Sequence, residues 1–446
     1  MADSGCLTAA DARIAEVIRD RSLAGGRAYE FARRLATQIG PRLAGSRGDA
    51  EAVAWAASQM RGLRLANVKL QNVDVPKWVR RATEVSIIEP KPIPLDAVTL
   101  GGSVGTPDQG IQASVIEVRD IVELRSMGRA DLQGKIVFVN TVTERTKDSS
   151  GYLRAVPSRM DSASIAQSLG AVAVLIRSIG TSSGPAPHTG IVRYVQGAER
   201  IPAFALSAES ADTFSALLKG QANVKVSVRS SAHEEGMQRS ANVIAEIEGS
   251  TERNEVVLLG AHLDSWDLGQ GAADDAAGVG IVMGVAAALG SQVPRPRRTI
   301  RFVLFANEEN GLSGSKIYAA SAMQEKVRHA LALEADSGAA GVWALQTEAD
   351  QSTRVPIKSI LDLLRPYAVI SRIGPVEGSS DLDALRPSGI ILVGLNQDRS
   401  RYFDVHHSAD DVFANIDAAA LAQAESSYAG TVWLLAQCRA GKVSVH

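Results

Sequence analysis

The chain has 446 residues, 47 Lys+Arg against 49 Asp+Glu, and 45% hydrophobic residues. That length exceeds the roughly 250–300 residues at which a single core stops growing, so two folded units are expected. The balanced charge gives no electrostatic footprint for nucleic acid, and 39 glycines with 16 prolines suit a loop-rich globular α/β enzyme, not a fibrous or disordered chain. No run approaches the roughly 18 apolar residues of a membrane span. The start Met1-Ala2-Asp3-Ser4-Gly5-Cys6 lacks the basic and apolar segments of a signal peptide. The chain therefore reads as cytoplasmic as written, and as secreted or periplasmic if a leader was removed. Cys6 and Cys438, the only two cysteines, exclude a cysteine-based zinc framework; they are expected as free, inert thiols, with a staple between the termini as the alternative.

From residue 8 to about residue 66 the pattern is helical, with Ile14, Val17 and Ile18, then Tyr29, Phe31 and Leu35, then Val53, Trp55, Ala56 and Met60 on successive apolar faces. The loop Gly40 to Ser46 interrupts it. Asn67 to Val75 alternates at period two, and Glu84 to Ile88 is expected to pair beside it at the edge of the main sheet. Glycines and prolines from Pro90 to Gly110 mark a change of unit. Short apolar runs at Ala113, Lys135, Ala171, Ile201 and Val224 then predict a compact β-rich insert, with His188 in one of its loops. From Ser240 the order becomes strand, helix, strand. Helices are predicted over 274–289, 311–323, 355–367 and 417–437. The whole reads as an α/β fold with a mixed, largely parallel sheet flanked by helices.

The chemistry sits at strand ends. Val256 to Leu259 runs into His262 and Asp264; Thr299 to Ala306 runs into Glu308-Glu309; Ala330 to Leu333 runs into Glu334 and Asp336. Ile390 to Leu395 leads through a polar loop to His406-His407. Buried parallel strands deliver polar groups at their carboxyl ends, where such sheets place ligands. Two cations about 3.5–4 Å apart need one carboxylate shared between them. Asp274 is the candidate bridge, with His262 and Asp336 completing one ion and Glu309 and His407 the other. Asp264 is positioned to orient the His262 ring, and Glu308 is left over as general base, because adjacent side chains diverge in direction. Asp267, His188 and Arg401 are candidates to contact substrate, with Arg386 and Arg399 as further carboxylate binders. His233, His329 and His446 read as surface residues.

The motifs His262 to Asp275, Asn307-Glu308-Glu309-Asn310-Gly311, Glu334-Ala335-Asp336-Ser337-Gly338 and Tyr402 to Asp411 resemble those of the co-catalytic di-zinc exopeptidases, the family of bacterial leucyl aminopeptidases and glutamate carboxypeptidases. The likeness is nearest to the plasma glutamate carboxypeptidase, or carboxypeptidase Q, branch. The resemblance implies a zinc-peptidase α/β/α sandwich over residues 1–105 and 236–446 and a protease-associated-type insert over 106–235. It also implies two zinc ions held by the five ligands named above, with Glu308 as base. His406 stands where relatives of the folate-hydrolase type carry a tyrosine, which implies imidazole as the stabiliser of the transition state. The expected partner is a peptide with free termini, with no nucleic acid and no membrane span, and a homodimer is an open assembly. Three alternatives stand beside this reading: an aminopeptidase releasing apolar residues, a non-catalytic binding protein of the same fold, and a single-zinc acyl-transfer cyclase. Retention of every ligand and of the base argues against the second.

Overall fold

The computed structural model describes residues 6–221, 223–348, 355–376 and 378–438. They form two compact units. The first comprises residues 1–75, 239–402 and 412–446, and the second residues 76–238 and 403–411. The chain thus crosses between them four times, the last two on either side of a nine-residue segment that carries His406 and His407.

In the first unit an eight-stranded sheet runs in the order Ala66–Val79, His233–Ile247, Arg298–Phe305, Glu252–His262, Arg328–Glu334, Ile391–Gln397, Val342–Thr347, Ile370–Ile373. Its centre is parallel. Glu252–His262 lies between Arg298–Phe305 and Arg328–Glu334, with His262 opposite Phe305 and Gly260 opposite Glu334. Arg328–Glu334 pairs in parallel with Ile391–Gln397, and the antiparallel strands lie outside this core. Both faces are covered, so the central strands read as continuous apolar runs, as expected for a parallel sheet.

The helix Ala277–Gly290 and the irregular turn Ala272–Ala276 before it follow the strand that ends at His262. Together they are long and apolar enough to cross a membrane, with mean hydropathy 1.5, yet 89% of that stretch is buried inside the protein. They form a core helix. Its small residues let it lie close to its neighbours: a Cβ on Gly278 would run into the Ala335 carbonyl oxygen and the Asp275 carboxylate. The closing helix Ala418–Gln437 buries Tyr428, Trp433 and Leu435.

The second unit has its own eight-stranded sheet, in the order Ile93–Pro94, Thr83–Glu89, Lys225–Ser230, Ile111–Val118, Ile136–Val139, Ala173–Arg177, Ala203–Leu206, Ala97–Thr99. Phe138, Phe204, Phe214, Leu175 and Ile87 fill its core. Thr83–Glu89 pairs antiparallel with Lys225–Ser230, so it does not join the edge of the main sheet as its sequence neighbourhood suggested; only Ala66–Val79 does. Alternation identifies a strand but not its partner.

The cysteines are also not free. Cys6 and Cys438 form a disulfide, closed because the amino-terminal helix Ala9–Gly25 packs against Ala418–Gln437 and brings the two ends together. His329 is buried, with its Nε2 2.7 Å from the Tyr318 hydroxyl, and is not a surface residue. His233 is exposed, and His446 lies outside the described residues.

Candidate metal centre

The parallel strands of the first unit bring His262, Asp274 and Asp336 together. His262 Nε2 lies 3.0 Å from Asp274 Oδ1 and 3.9 Å from Asp336 Oδ1. One donor atom from each of the three falls within 4.8 Å of the others. The imidazole is held from behind: its Nδ1 sits 3.1 Å from the backbone carbonyl oxygen of Asp264. The Asp264 carboxylate is farther from the ring, at 3.8 Å, and accepts a hydrogen bond from the Glu308 backbone N–H at 3.0 Å. One residue therefore orients the ring through its main chain and fixes the start of the Glu308-Glu309 loop through its side chain. Asp275 ties strand to helix, accepting from His262 N–H at 3.2 Å and from Gly278 N–H at 3.0 Å.

Burial opposes a charge on His262, but the hydrogen bond with Asp274 and the charges of Asp275 and Asp336 hold its pKa well above the ordinary value. Burial raises Asp264. Burial first, and then the carboxylates around them, push Asp275 and Glu308 well above the usual carboxylate range. Two further acids lie in the same group: Glu334, which closes a strand but has no role assigned from sequence, and Asp381, which the strand-end pattern does not reach. Glu334 is raised by burial and by Asp381, Asp336 and Glu308. Asp381, whose backbone N–H donates to Glu334 Oε1 at 3.4 Å, is pushed up to about 8, chiefly by burial. Carboxylates thus crowd around the His262 imidazole, a negative surplus that a divalent cation would neutralise. The donor set, an imidazole nitrogen with carboxylate oxygens and no thiolate, fits zinc and admits cobalt or manganese.

Arg42 is a further residue that no local pattern selects. It is 0% exposed. Its Nε donates to the Leu263 carbonyl oxygen at 2.6 Å, its Nη1 to Gln270 at 2.9 Å and its Nη2 to Gly271 at 2.9 Å. Both ends of the loop separating His262 from Asp274 are thereby pinned by one guanidinium. Arg399 braces the neighbouring strand end, donating to the Asp336 carbonyl oxygen at 2.8 Å. Arg386 is occupied by Asp383 and Glu348. Asp267 is half-buried in the loop after Trp266, and Arg401 is exposed.

The rings of His406 and His407, in the second unit, stack on each other at 3.5 Å. Thr189 N–H donates to the His407 carbonyl oxygen at 2.8 Å, and His407 Nδ1 lies 3.3 Å from the Thr189 carbonyl oxygen. Asp404 accepts from Arg145 and from the Thr181 hydroxyl, and Tyr152 stacks on Phe403 at 4.5 Å. His188 is fully engaged: Nδ1 is 2.6 Å from the His406 carbonyl oxygen and Nε2 is 3.2 Å from the Ser182 hydroxyl. Burial pushes its pKa down to about 4, so it is a neutral ring that holds the histidine segment in place.

Comparison with known proteins gives this geometry a context. The sequence profile described as Peptidase family M28 matches residues 242–432. Carboxypeptidase Q of Bos taurus is 33% identical over 394 residues, covering 88% of this chain and 82% of that protein. The crystal structure of a peptidase M28 precursor from Shewanella amazonensis superposes with a TM-score of 0.93 at 37% identity, covering 97% of this chain and 98% of the other. A zinc aminopeptidase from Bacillus subtilis shares the fold at a TM-score of 0.66 and 23% identity, covering 91% of this chain and 94% of the other.

Proposed function

This chain belongs to peptidase family M28, and we propose that it is a zinc-dependent exopeptidase of the carboxypeptidase Q kind, hydrolysing dipeptides or short peptides with free termini. The observation that carries the reading is the convergence of His262, Asp274 and Asp336 donor atoms within 4.8 Å at the carboxyl ends of parallel strands, inside a group of buried carboxylates. In this reading those three residues would hold one zinc ion, and Asp274 with Glu309 and His407 would hold a second; His407 enters on its motif alone. Bound there, the metal supplies Lewis-acid polarisation of the scissile carbonyl.

The chain's own groups do the rest. Glu308, whose backbone N–H is held by the Asp264 carboxylate, is the group to take a proton from the attacking water and return it to the leaving amine. Asp264 keeps Glu308 and the His262 ring in register through the two contacts described above. His406 stabilises the anion that develops on the carbonyl oxygen. Asp267 and Arg401 are carried as substrate contacts, and residues 106–235 as a protease-associated-type insert. The Cys6–Cys438 disulfide supports a secreted or periplasmic setting, since such bonds persist in oxidising compartments. A homodimer belongs to the same proposal and is read by light scattering.

The test is release of free amino acid from unblocked, N-blocked and C-amidated forms of one dipeptide by wild type and Glu308→Gln, with zinc per chain measured on both. Cleavage by wild type, a loss of at least about 100-fold in the variant and about two zinc ions retained in each is the expected result. Full zinc with no cleavage by wild type would refute the peptidase reading. Cleavage of C-amidated but not N-blocked substrate would favour the aminopeptidase alternative.

A further inference from the structure

The first unit has a cavity of about 200 Å³ where the ends of the helices Ala9–Gly25 and Ala277–Gly290 meet the side of Ala418–Gln437. Every residue lining it belongs to that unit, and none belongs to the metal centre. The rim is open, with Arg21 and Gly25 exposed, and the space holds more than a single water. Two buried polar side chains line the interior. Glu425 is 1% exposed, and Ser22, 3% exposed, has a hydroxyl without a hydrogen-bond partner.

The Glu425 carboxylate is held in place yet short of positive charge. Gly26 and Gly284 make room for it, since a Cβ on either would run into one of its oxygens. The Arg27 N–H donates to Oε1 at 3.1 Å and the Ala28 N–H to Oε2 at 2.7 Å, which leaves each oxygen a free lone pair. The Arg27 guanidinium turns instead to Glu30 and lies over the Phe31 ring at 4.5 Å. Burial accordingly pushes the Glu425 pKa up to about 7. The helices that end here, at Gly25 and Gly290, carry no basic residue in their last turns, so their carbonyl ends add to the negative field. At the rim, Arg21 forms no ion pair among the described residues.

We propose that this cavity is a second ligand site of the first unit, one that takes a free α-amino acid. The ammonium group sits on Glu425 and the Ser22 hydroxyl, where a buried negative charge and an unused polar group meet. The carboxylate faces Arg21 at the mouth, and an apolar side chain lies along Ile18, Ala287 and Ala288. The ammonium contact supplies most of the affinity, because a charge-assisted bond at a buried carboxylate outweighs one at an exposed arginine. The inference goes beyond the peptidase reading and is read by binding alone.

The experiment is calorimetric titration of the zinc-loaded protein with L-leucine, with isoamylamine, which lacks the carboxylate, and with N-acetylleucine, which lacks the ammonium. Wild type should bind leucine, and the affinity should fall roughly 10- to 100-fold in Glu425→Gln, which keeps an oxygen for the backbone donors but loses the charge. Arg21→Ala should weaken leucine and leave isoamylamine unchanged. Ala288→Phe, at a half-buried position on the wall, fills the cavity with Glu425 intact and should abolish binding. None of these variants touches a metal ligand, so leucine held at the metal centre would survive in all of them. The proposal is overturned if wild type binds no leucine, or if leucine binds equally to wild type, Glu425→Gln and a folded Ala288→Phe. N-acetylleucine binding that Ala288→Phe removes, or isoamylamine binding as tight as that of leucine, would overturn the amino acid as ligand. A wild type that cleaves no dipeptide refutes the peptidase reading alone, and the titration still decides this one.

Discussion

Removing the Arg42 guanidinium tests how the metal-binding residues are spaced. Three of its donors reach buried carbonyl oxygens on both ends of the Leu263–Gly271 loop, at 2.6, 2.9 and 2.9 Å. Arg42→Met keeps the bulk of the side chain but leaves those carbonyls without a donor. Each charge-assisted bond contributes roughly 1.5–3 kcal/mol, and each abandoned buried acceptor costs about 1–3 kcal/mol. The desolvation of the guanidinium itself is relieved by the same change, so the net loss should be about 3–5 kcal/mol, the range for breaking a buried charged network. Because the loop fixes the distance between His262 and Asp274, zinc affinity should also fall about 10- to 100-fold, as for other groups that orient metal ligands. Urea unfolding midpoints of the metal-loaded and chelator-treated protein measure the first quantity, and chelator competition measures the second. Arg42→Lys should recover little, because an ammonium cannot span both ends of the loop. A stability within about 1 kcal/mol of wild type, less than the change at one such bond, together with unaltered zinc affinity, would refute the reasoning.

Further expectations follow from single features. Cys6→Ser with Cys438→Ser, or reduction of the wild type, should lower stability by about 2–5 kcal/mol, seen as a lower Tm that a reductant no longer changes in the double variant. Glu425 accepts from the N–H groups of Arg27 and Ala28, and burial pushes its pKa up to about 7. A folded-state value above the unfolded one means stability is greatest below about pH 4.5 and is lost as pH rises through about 7, by roughly 3 kcal/mol in all. Denaturation across that window should show a downward slope that Glu425→Gln flattens. Gly278→Ala drives a Cβ into the Ala335 carbonyl oxygen and Asp275, and should cost about 1–3 kcal/mol by overpacking while displacing the loop that carries Asp336, which a lower zinc content would report.

Much of the first unit is legible in the sequence because its parallel strands are apolar throughout and stop abruptly at a polar residue. Val256 to His262 and Arg298 to Phe305 carry that signal without reference to any partner. The side chains at those ends, His262 and Asp336, are found next to each other because parallel strands in register deliver their termini to one edge, and Asp274 joins them from the turn that follows the first strand. What stays hidden is whatever depends on a distant segment. Arg42 is one arginine among many until the loop it pins is in place, and the bond between Cys6 and Cys438 requires knowing that the first and last helices are neighbours. Asp381 and His329 are invisible for the same reason: nothing local distinguishes a buried acid or imidazole from a solvated one.

The histidine segment shows where such reading ends. Its motif identifies His407 as a ligand type, but the residues that fix its backbone, Thr189 and His188, come from a loop more than two hundred positions earlier in the chain. A segment flanked in sequence on both sides by the first unit thus belongs with the second and takes these hydrogen bonds from it. A strand end can be specified by its own sequence, because the sheet already satisfies its backbone. A nine-residue loop has no such internal ladder, so each of its polar groups must find a partner elsewhere. The second unit supplies partners through Arg145, Thr181, His188 and Thr189. Substitutions at Arg145 or Thr181 should therefore loosen the segment around His407, read as faster amide hydrogen exchange there than in wild type.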